Sequence, residues 1–337
     1  MTLQSDDKVL HSGNEVKFGA VAIGRNEGER LERCLKSLSA AVKIVYVDSG
    51  STDGSVRRAR EHSIDVIELD MSFPFTAARA RNAGFRHLRE GARGLDYVQF
   101  VDGDCELNQG WPQQAISYLE THGEVVAVCG RRRERFPKAS IYNWLCDIEW
   151  DVQPGEVKAF AGDVMIRAKV LEHVGGYRDD LIAGEEPELC VRLRAAGWKI
   201  RRLALEATLH DAAMTRFSQW WKRATRAGYA FAQGADIHGT PPEHHWVWES
   251  RRARLWGIWL PLVCIAVSVM FPPWGLAAWS IYLVQILRQT LRNSGELGDR
   301  ATLAFFQVLG RFAEGWGQLK FLRDRLLGAQ SSLVEYK

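Results

Sequence analysis

The chain has 337 residues, 46% of them apolar and 25% charged, with 44 basic against 41 acidic side chains and a formal charge of +3. That length is too great for one small domain and suits a catalytic domain of about 230 to 250 residues with an appendage. So even a charge balance sets up no whole-molecule field and excludes nucleic acid as an expected partner.

The six cysteines, Cys34, Cys105, Cys129, Cys146, Cys190 and Cys264, stand singly. With no C-x-x-C pair to begin a zinc or redox motif, they fit a reducing, cytoplasmic compartment. Residues 1–16 form a polar tail of mixed charge, expected to be neither a cleavable signal peptide nor an anchor. Phe18 to Gly24 (FGAVAIG) is an apolar run of strand length, and in Glu29 to Leu38 the residues Leu31, Cys34, Leu35 and Leu38 recur on one helical face. Strands are likewise predicted at Lys43 to Val47, Asp65 to Leu69 and Tyr97 to Val101, with helices at Ser55 to His62 and Thr76 to Arg89 between them.

Such regular alternation implies right-handed crossovers and a mostly parallel sheet. Ligands of such a sheet bind at the carboxyl ends of its strands. Polar clusters stand where that rule asks for them: Arg25-Asn26-Glu27 after the first strand, Asp48 to Gly54 after the second, and Asp102-Gly103-Asp104 after the fourth. Three clusters at one edge describe a cleft.

From Val125 to Ile200 the pattern is mixed, with candidate strands at Val125 to Cys129 and Val164 to Ile166 and a helix at Pro187 to Ala196. A helix rich in aromatics and arginines, Phe217 to Ala232, follows, and the catalytic region is expected to span residues 17–237. Residues 238–254, bearing His, Pro and Trp through 248, read as a linker. Leu255 to Leu287 is then uncharged, with arginines on both flanks. As one helix it would measure about 50 Å, beyond a hydrocarbon core of about 30 Å, so the break at Phe271-Pro272-Pro273-Trp274 predicts a helical hairpin. Arginines on both sides place both ends on the cytoplasmic face. Because the second arm, Trp274 to Leu287, covers about 21 Å, a re-entrant hairpin competes with two full spans. A hairpin buried in a soluble domain is the further alternative. In residues 288–337, Leu303, Phe306, Leu309, Phe312, Trp316 and Leu319 recur at helical spacing. That suits a helix lying on an anionic surface or one packing on a core.

The chemistry centres on Asp102-Gly103-Asp104. Two carboxylates one residue apart after an apolar strand can direct oxygens at one hard divalent cation, and the glycine admits a ligand close to the backbone. The same triplet taken alone is also a common turn. Asp48, at the end of the second strand, can accept a hydrogen bond from a base or ribose, or cap the turn that follows it. Arg81 can grip a phosphate bidentately or pair with an aspartate, whereas Arg79 suits a solvated helix face.

The sequence resembles the inverting family 2 glycosyltransferases of A-type fold. The resemblance covers about residues 17 to 235 and is carried in order by VAIGRNEGERLERCLKSL, IVYVDSGSTDGS, ARARNAGF, FVDGDCEL, GDVMIRAKVLEHVGGY, GEEPELCVRLRAAGW and His210. It implies a Rossmann-like α/β fold with a mixed, mostly parallel sheet flanked by helices, to which the C-terminal helical membrane-associated region is added. It implies donor contacts from Asn26, Glu27, Asp48, Arg81, Asp102 and Gly103, and a Mg²⁺ or Mn²⁺ ion on Asp102, Asp104 and His210. The acidic pair that opens the acceptor-side helix is Glu185-Glu186 here, where the family usually has Glu-Asp. Its second member, Glu186, matches the catalytic base, with the choice between Glu185 and Glu186 open. Glu188, one turn in, is expected to orient or cap that helix. Gln219-Trp220-Trp221-Lys222-Arg223 partly resembles the signature of processive synthases but lacks its final Arg-Trp, which implies transfer of single sugars.

The expected activity is metal-dependent, inverting transfer of a sugar from a nucleotide-sugar to a lipid-linked or envelope polysaccharide acceptor, at the cytoplasmic face of a bacterial inner membrane. Glu186, taken at the ordinary carboxylate pKa, needs positioning more than tuning. Arg131-Arg132-Arg133 with Arg135 could meet lipid phosphates or remain solvated. Two rival readings are a sugar nucleotidyltransferase, disfavoured because Ile23 to Glu27 is no glycine-rich lysine loop, and an inactive glycan-binding or scaffold module.

Overall fold

The structure, a computed structural model, describes residues 16–92 and 94–328. The expectations for residues 1–15 and 329–337 lie outside the described residues.

Four parallel strands open the chain: β1 (Phe18–Gly24), β2 (Lys43–Asp48), β3 (Asp65–Glu68) and β4 (Tyr97–Asp102), joined by α1 (Glu29–Ser37), α2 (Ser55–Glu61) and α3 (Ala77–Gly91). Then come β5 (Cys105–Leu107), α4 (Trp111–Thr121), β6 (Val125–Glu134), α5 (Ile141–Glu149), β7 (Gly155–Glu156), β8 (Val164–Arg167), α6 (Ala168–His173), α7 (Glu185–Ala195) and β9 (Lys199–His210). One sheet takes the order β3-β2-β1-β4-β8-β6-β9-β5, with β7 on β9. β8 runs antiparallel to β4 and β6, so the loop before β8 sits at the same edge as the carboxyl end of β4.

Alternating residues of each strand feed two apolar layers. Val21, Val45 and Val98 face α3 and α7 through Phe85, Leu88, Leu189 and Leu193, while Ala20, Tyr46 and Tyr97 face α1 and α4 through Leu31, Leu35, Trp111 and Leu119. Each aliphatic side chain fully buried this way contributes roughly 1.5–3 kcal/mol. At Gly84 a Cβ would collide with Val21, so only glycine lets α3 lie this close to the sheet.

β6 runs five residues past the predicted Cys129, and β9 was not predicted as a strand. Both carry arginines that disguise strand periodicity; at and just past the end of β6 these are paired, Arg131 with Asp151 at 3.2 Å, Arg133 with Glu206 at 2.7 Å and Arg135 with Glu106 at 2.5 Å. Arg131, Arg132 and Arg133 therefore lie on a strand with carboxylate partners, and Arg135 follows directly after it.

The C-terminal third comprises α8 (Phe217–His238), α9 (Val247–Arg254), a π-helical turn (Leu255–Trp259), α10 (Leu260–Met270), α11 (Pro272–Arg292) and α12 (Leu297–Leu327). Residues 247–254, read as linker from sequence, are helical and run without a break to Met270. The chain turns at Phe271 into the Pro272-Pro273 start of α11, where prolines lack only a donor that a helix leaves unused. Ser268 lies against Gly275 and the Cys264 thiol reaches Ala278 O, so the two arms pack antiparallel. The second arm continues to Arg292 and measures about 31 Å, longer than the 21 Å expected.

Leu255, Trp259, Leu262, Val269, Leu283 and Leu291 are exposed, so the hairpin is not buried against the rest of this chain. Among the described residues one helix, Val247–Met270, is long and apolar enough to cross a membrane. On α12, Leu303, Phe306, Leu309 and Phe312 pack inward and Trp316 and Leu319 are exposed. α12 also lies against α8 at Gly228 and Gly317, and against the π-helical turn at Gly257 and Gly315, each without room for a Cβ.

Candidate active site

The carboxyl ends of β1, β2 and β4 and the N-terminus of α7 meet at one edge of the sheet. After β1, Asn26 adopts a positive φ of 57°. Its Oδ1 accepts from Thr52 N at 2.7 Å and its own N–H donates to Ser51 Oγ at 2.8 Å, so the loops after β1 and β2 are latched together. Glu27 is buried beside Gly103 and pairs with Arg30 at 2.8 Å. Asp48 is 1% exposed. Its carboxylate accepts from Tyr46 O–H at 2.8 Å, Gly50 N at 2.9 Å and Ser51 N at 2.8 Å, the turn-capping arrangement. Asp53 accepts from Ser55 N at 3.0 Å at the head of α2.

Gly103 N donates to Ile23 O at 2.7 Å, and a Cβ there would stand 3.1 Å from that oxygen. This close approach leaves Asp102 and Asp104 on either side of the turn. Arg81, 2% exposed, fills the space beside it. Thr76 Oγ1 caps α3 by accepting from Arg79 N at 3.1 Å, and Asn82 Nδ2 binds Tyr177 O and Asp179 Oδ1 at 2.7 Å each. These contacts hold α3 so that Arg81 reaches Glu185 at 2.8 Å, Asp102 at 2.9 Å and Glu186 at 3.0 Å. Arg79 instead binds the carbonyls of Asp70, Phe73 and Pro74 near the surface.

Charge explains the state of these groups. Burial and the neighbouring Glu185 push the Glu186 carboxyl up to about 7, with Arg81 acting against that rise. Burial opposes the Arg81 charge, but Glu186, Asp102 and Glu185 outweigh it and hold the guanidinium firmly protonated. Glu186 thus lies above the ordinary value expected from sequence, because a carboxylate that is buried, and packed beside another carboxylate, is hard to ionise.

On the far side of Asp102, Arg132 Nη2 lies 3.2 Å from its second oxygen. Arg132 Nε pairs with Asp163 at 2.7 Å, and Asp163 also accepts from Thr208 Oγ1 at 2.6 Å. Gly162 presses its backbone against Asp102 and Arg81 so closely that a Cβ would fall 2.6 Å from Asp102 Oδ2. His210, at the end of β9, places Nε2 3.1 Å from Asp104 Oδ2 and Nδ1 3.4 Å from Glu134, with Trp150 edge-on at 4.8 Å. Burial disfavours the imidazolium, but the carboxylates of Asp104 and Glu134 raise its pKa above the usual value. Asp104, Cys105 and His210 bring donor atoms within 4.8 Å of one another, as do Asp102, Cys105 and Asp163. Burial pushes the Cys105 thiol well up, which leaves the carboxylates and imidazole as the better donors.

The predicted residues thus fall into three adjoining groups: Asn26, Glu27 and Asp48 at the first two loops, Arg81 with Asp102, Glu185 and Glu186, and Asp104 with His210. Sequence reasoning did not single out Glu134 or Thr208, named Arg132 only within the run Arg131-Arg132-Arg133, and gave Asp163 no role of its own. Gly162-Asp163 directly precedes an apolar strand, but only the antiparallel direction of β8 brings that end into the cleft.

Residues 21–154 match the family model described as Glycosyl transferase family 2. Glycosyltransferase AglE of Haloferax volcanii is 23% identical over 330 residues, covering 88% of this chain and 93% of that protein. Pre-mycofactocin glycosyltransferase of Mycobacterium tuberculosis is 25% identical over 229 residues, 64% of this chain and 46% of its own length. Among solved structures, the mannosyltransferase PcManGT from Pyrobaculum calidifontis in complex with GDP-Man and Mn²⁺ is similar with a TM-score of 0.57 at 18% identity, over 93% of this chain and 89% of that one. S. aureus TarS 1-349 gives 0.52 at 12% identity, over 93% and 92%. At these identities the structural likeness is one of fold.

Proposed function

We propose that this chain, whose residues 21–154 match the Glycosyl transferase family 2 model and whose fold is like that of a solved mannosyltransferase, is an A-type glycosyltransferase that transfers its sugar with inversion and with the help of a divalent ion. The acceptor proposed is a lipid-linked or envelope glycan at a membrane surface. Sugar transfer from a nucleotide-sugar is the family's reaction. The observation that carries the finer reading is the contact of one guanidinium with both Asp102 and Glu186, which joins the donor side of the cleft to the acceptor side.

The donor set suits Mg²⁺ or Mn²⁺. Asp104 Oδ2 and His210 Nε2 are 3.1 Å apart, close to the roughly 3 Å that adjacent ligands of an octahedral ion span. Asp104 and His210 would hold the ion, while Asp102, gripped by Arg81 and Arg132 on its two oxygens, would support it from beside. When bound, such an ion neutralises charge on a diphosphate leaving group.

Glu186 takes the proton of the acceptor hydroxyl. The hydroxyl oxygen bonds to the anomeric carbon from the face opposite the diphosphate, and the electrons of the sugar–phosphate bond leave with the nucleoside diphosphate. A single in-line displacement inverts the configuration. Arg81 keeps Glu186 and Asp102 in register across the sugar, and Asp48 with Asn26 shapes the two loops that would meet the nucleotide.

The exposed apolar hairpin, with Arg251, Arg252 and Arg254 before it and Arg288 and Arg292 after it, supports attachment to a cytoplasmic membrane face. Division into a catalytic region at 17–237, a connecting segment and a hairpin is proposed on the same basis. The test is to screen the full chain in detergent with UDP-, GDP- and dTDP-sugars, GDP-mannose first, with Mn²⁺ or Mg²⁺ and a polar lipid extract, and to read nucleoside diphosphate release. No turnover with any donor would remove the proposal.

A further inference from the structure

The segment between α8 and α9 is fastened along the helix that begins with Glu185 and Glu186. Just before it, at the last residue of α8, His238 Nε2 lies 3.0 Å from the buried Glu188 carboxylate, one turn into α7. Further on, Glu243 pairs with Arg194 in the last turn of α7. Its final residue, Trp246, lies against Gly184, the N-cap of α7, where φ is 81°. A Cβ on Gly184 would stand 2.7 Å from both Cη2 and Cζ3 of the indole, and one on Gly234 of α8 would stand 2.5 Å from Cε3.

The ring is wedged between the two helices, stacked on His245 at 4.4 Å and edge-on to Phe231 at 5.2 Å. Its backbone has a φ of 54°, a conformation that bulky residues hold only where their surroundings over-determine it. Trp246 is also the residue from which the continuous helix to Met270 departs.

We propose that Trp246 is a positioning residue for sugar transfer. Its indole is the floor on which the α7 N-cap rests, so it sets the entry angle of α7 and thereby the place of Glu186, and it ties that angle to the start of the apolar hairpin. Glycine at 184 is required on two counts, the left-handed backbone and the ring surface beneath it. The inference rests on the reading of Glu186 as base.

The experiment compares the full chain in detergent as wild type, Trp246→Ala, Trp246→Phe and Glu186→Gln, using the most active nucleotide-sugar of the panel with Mn²⁺ and polar lipid extract. A displaced base costs the chemical step more than donor binding, so Trp246→Ala is expected to lower kcat roughly 10- to 100-fold with the donor KM within about twofold. Trp246→Phe, which keeps an aromatic plate, is expected to recover most of the loss. Should the alanine variant fail to fold, Trp246→Leu, an apolar plug without the ring edges, is read in its place with the same expectation. Wild-type kcat in the folded alanine or leucine variant, or a loss that falls on KM alone, overturns the positioning role. Activity in Glu186→Gln overturns the base assignment instead, so the two failures are told apart.

Discussion

Asp102 and Glu186 share one nitrogen: Arg81 Nη2 lies 2.9 Å from the Asp102 carboxylate and 3.0 Å from that of Glu186. Its partner Nη1 holds Glu185 at 2.8 Å. A buried cation among three carboxylates cannot be removed without leaving like charges together. Arg81→Met is expected to destabilise the fold by about 3–5 kcal/mol, the range for breaking a buried ion pair, and to abolish transfer. Chemical denaturation and a turnover assay check the two parts.

Glu186→Gln is expected to reduce transfer below detection while nucleoside diphosphate affinity changes little, as calorimetry would show. In the wild type the base must be ionised, so kcat/KM should rise with pH along a limb with an apparent pKa of about 7. The stability effect has the opposite sign. A carboxyl raised from 4.5 to about 7 favours the fold fully below 4.5, and that favour is lost as pH rises through 7. Folded Glu186→Gln should therefore gain on wild type at pH 8, by something on the order of 1–3 kcal/mol, in denaturation curves run at pH 5 and pH 8.

His210→Ala should weaken Mn²⁺ binding, and chelation should silence the wild type reversibly. Metal binding needs the neutral imidazole. Because Asp104 and Glu134 raise the His210 pKa, Mn²⁺ affinity should fall as pH drops through a value above 6.5, with protons released on binding. Titration followed by electron paramagnetic resonance at several pH values measures this. A pH-independent affinity, unchanged in the alanine variant, would assign the ion elsewhere.

Gly228→Val should detach α12 from α8, because the first carbon added meets the Glu314 backbone. A loss of about 1–3 kcal/mol, typical of overpacking, is expected. Thermal unfolding in detergent reads it, with Gly123→Val, in open surroundings, as the control.

The parallel half of the sheet was plain in the sequence, because its strands are short, mainly apolar runs such as Phe18–Gly24 and three of the four end in a polar cluster. The other half was not. In β9, Arg201, Arg202 and Glu206 interrupt the pattern, and each makes sense only once β6, β7 and the loops beside them are in place. The same holds at the cleft. Asp102, Asp104, Glu185 and Glu186 announce themselves as acidic pairs beside apolar segments, whereas Arg132 on β6 and Asp163 before β8 meet only through an antiparallel pairing that no local pattern reveals. Helix α7 starts two residues before the predicted Pro187, since Gly184 supplies the turn and the acidic residues suit the positive end of a helix. The raised pKa of Glu186 was hidden for a related reason, because it depends on burial and on how close folding brings Glu185.

The four glycines at which α12 meets its neighbours make it a splint. One rod braces α8 and the first arm of the apolar hairpin, and Gln318 pins the joint by bonding Ser250 Oγ and Gly228 O at 2.8 Å each. A fragment stopping at residue 237 would bare Trp220, Tyr229 and the Gly228 groove together, inviting aggregation at a surface the intact chain never shows. Dissection of this enzyme has to keep the last helix if it keeps α8.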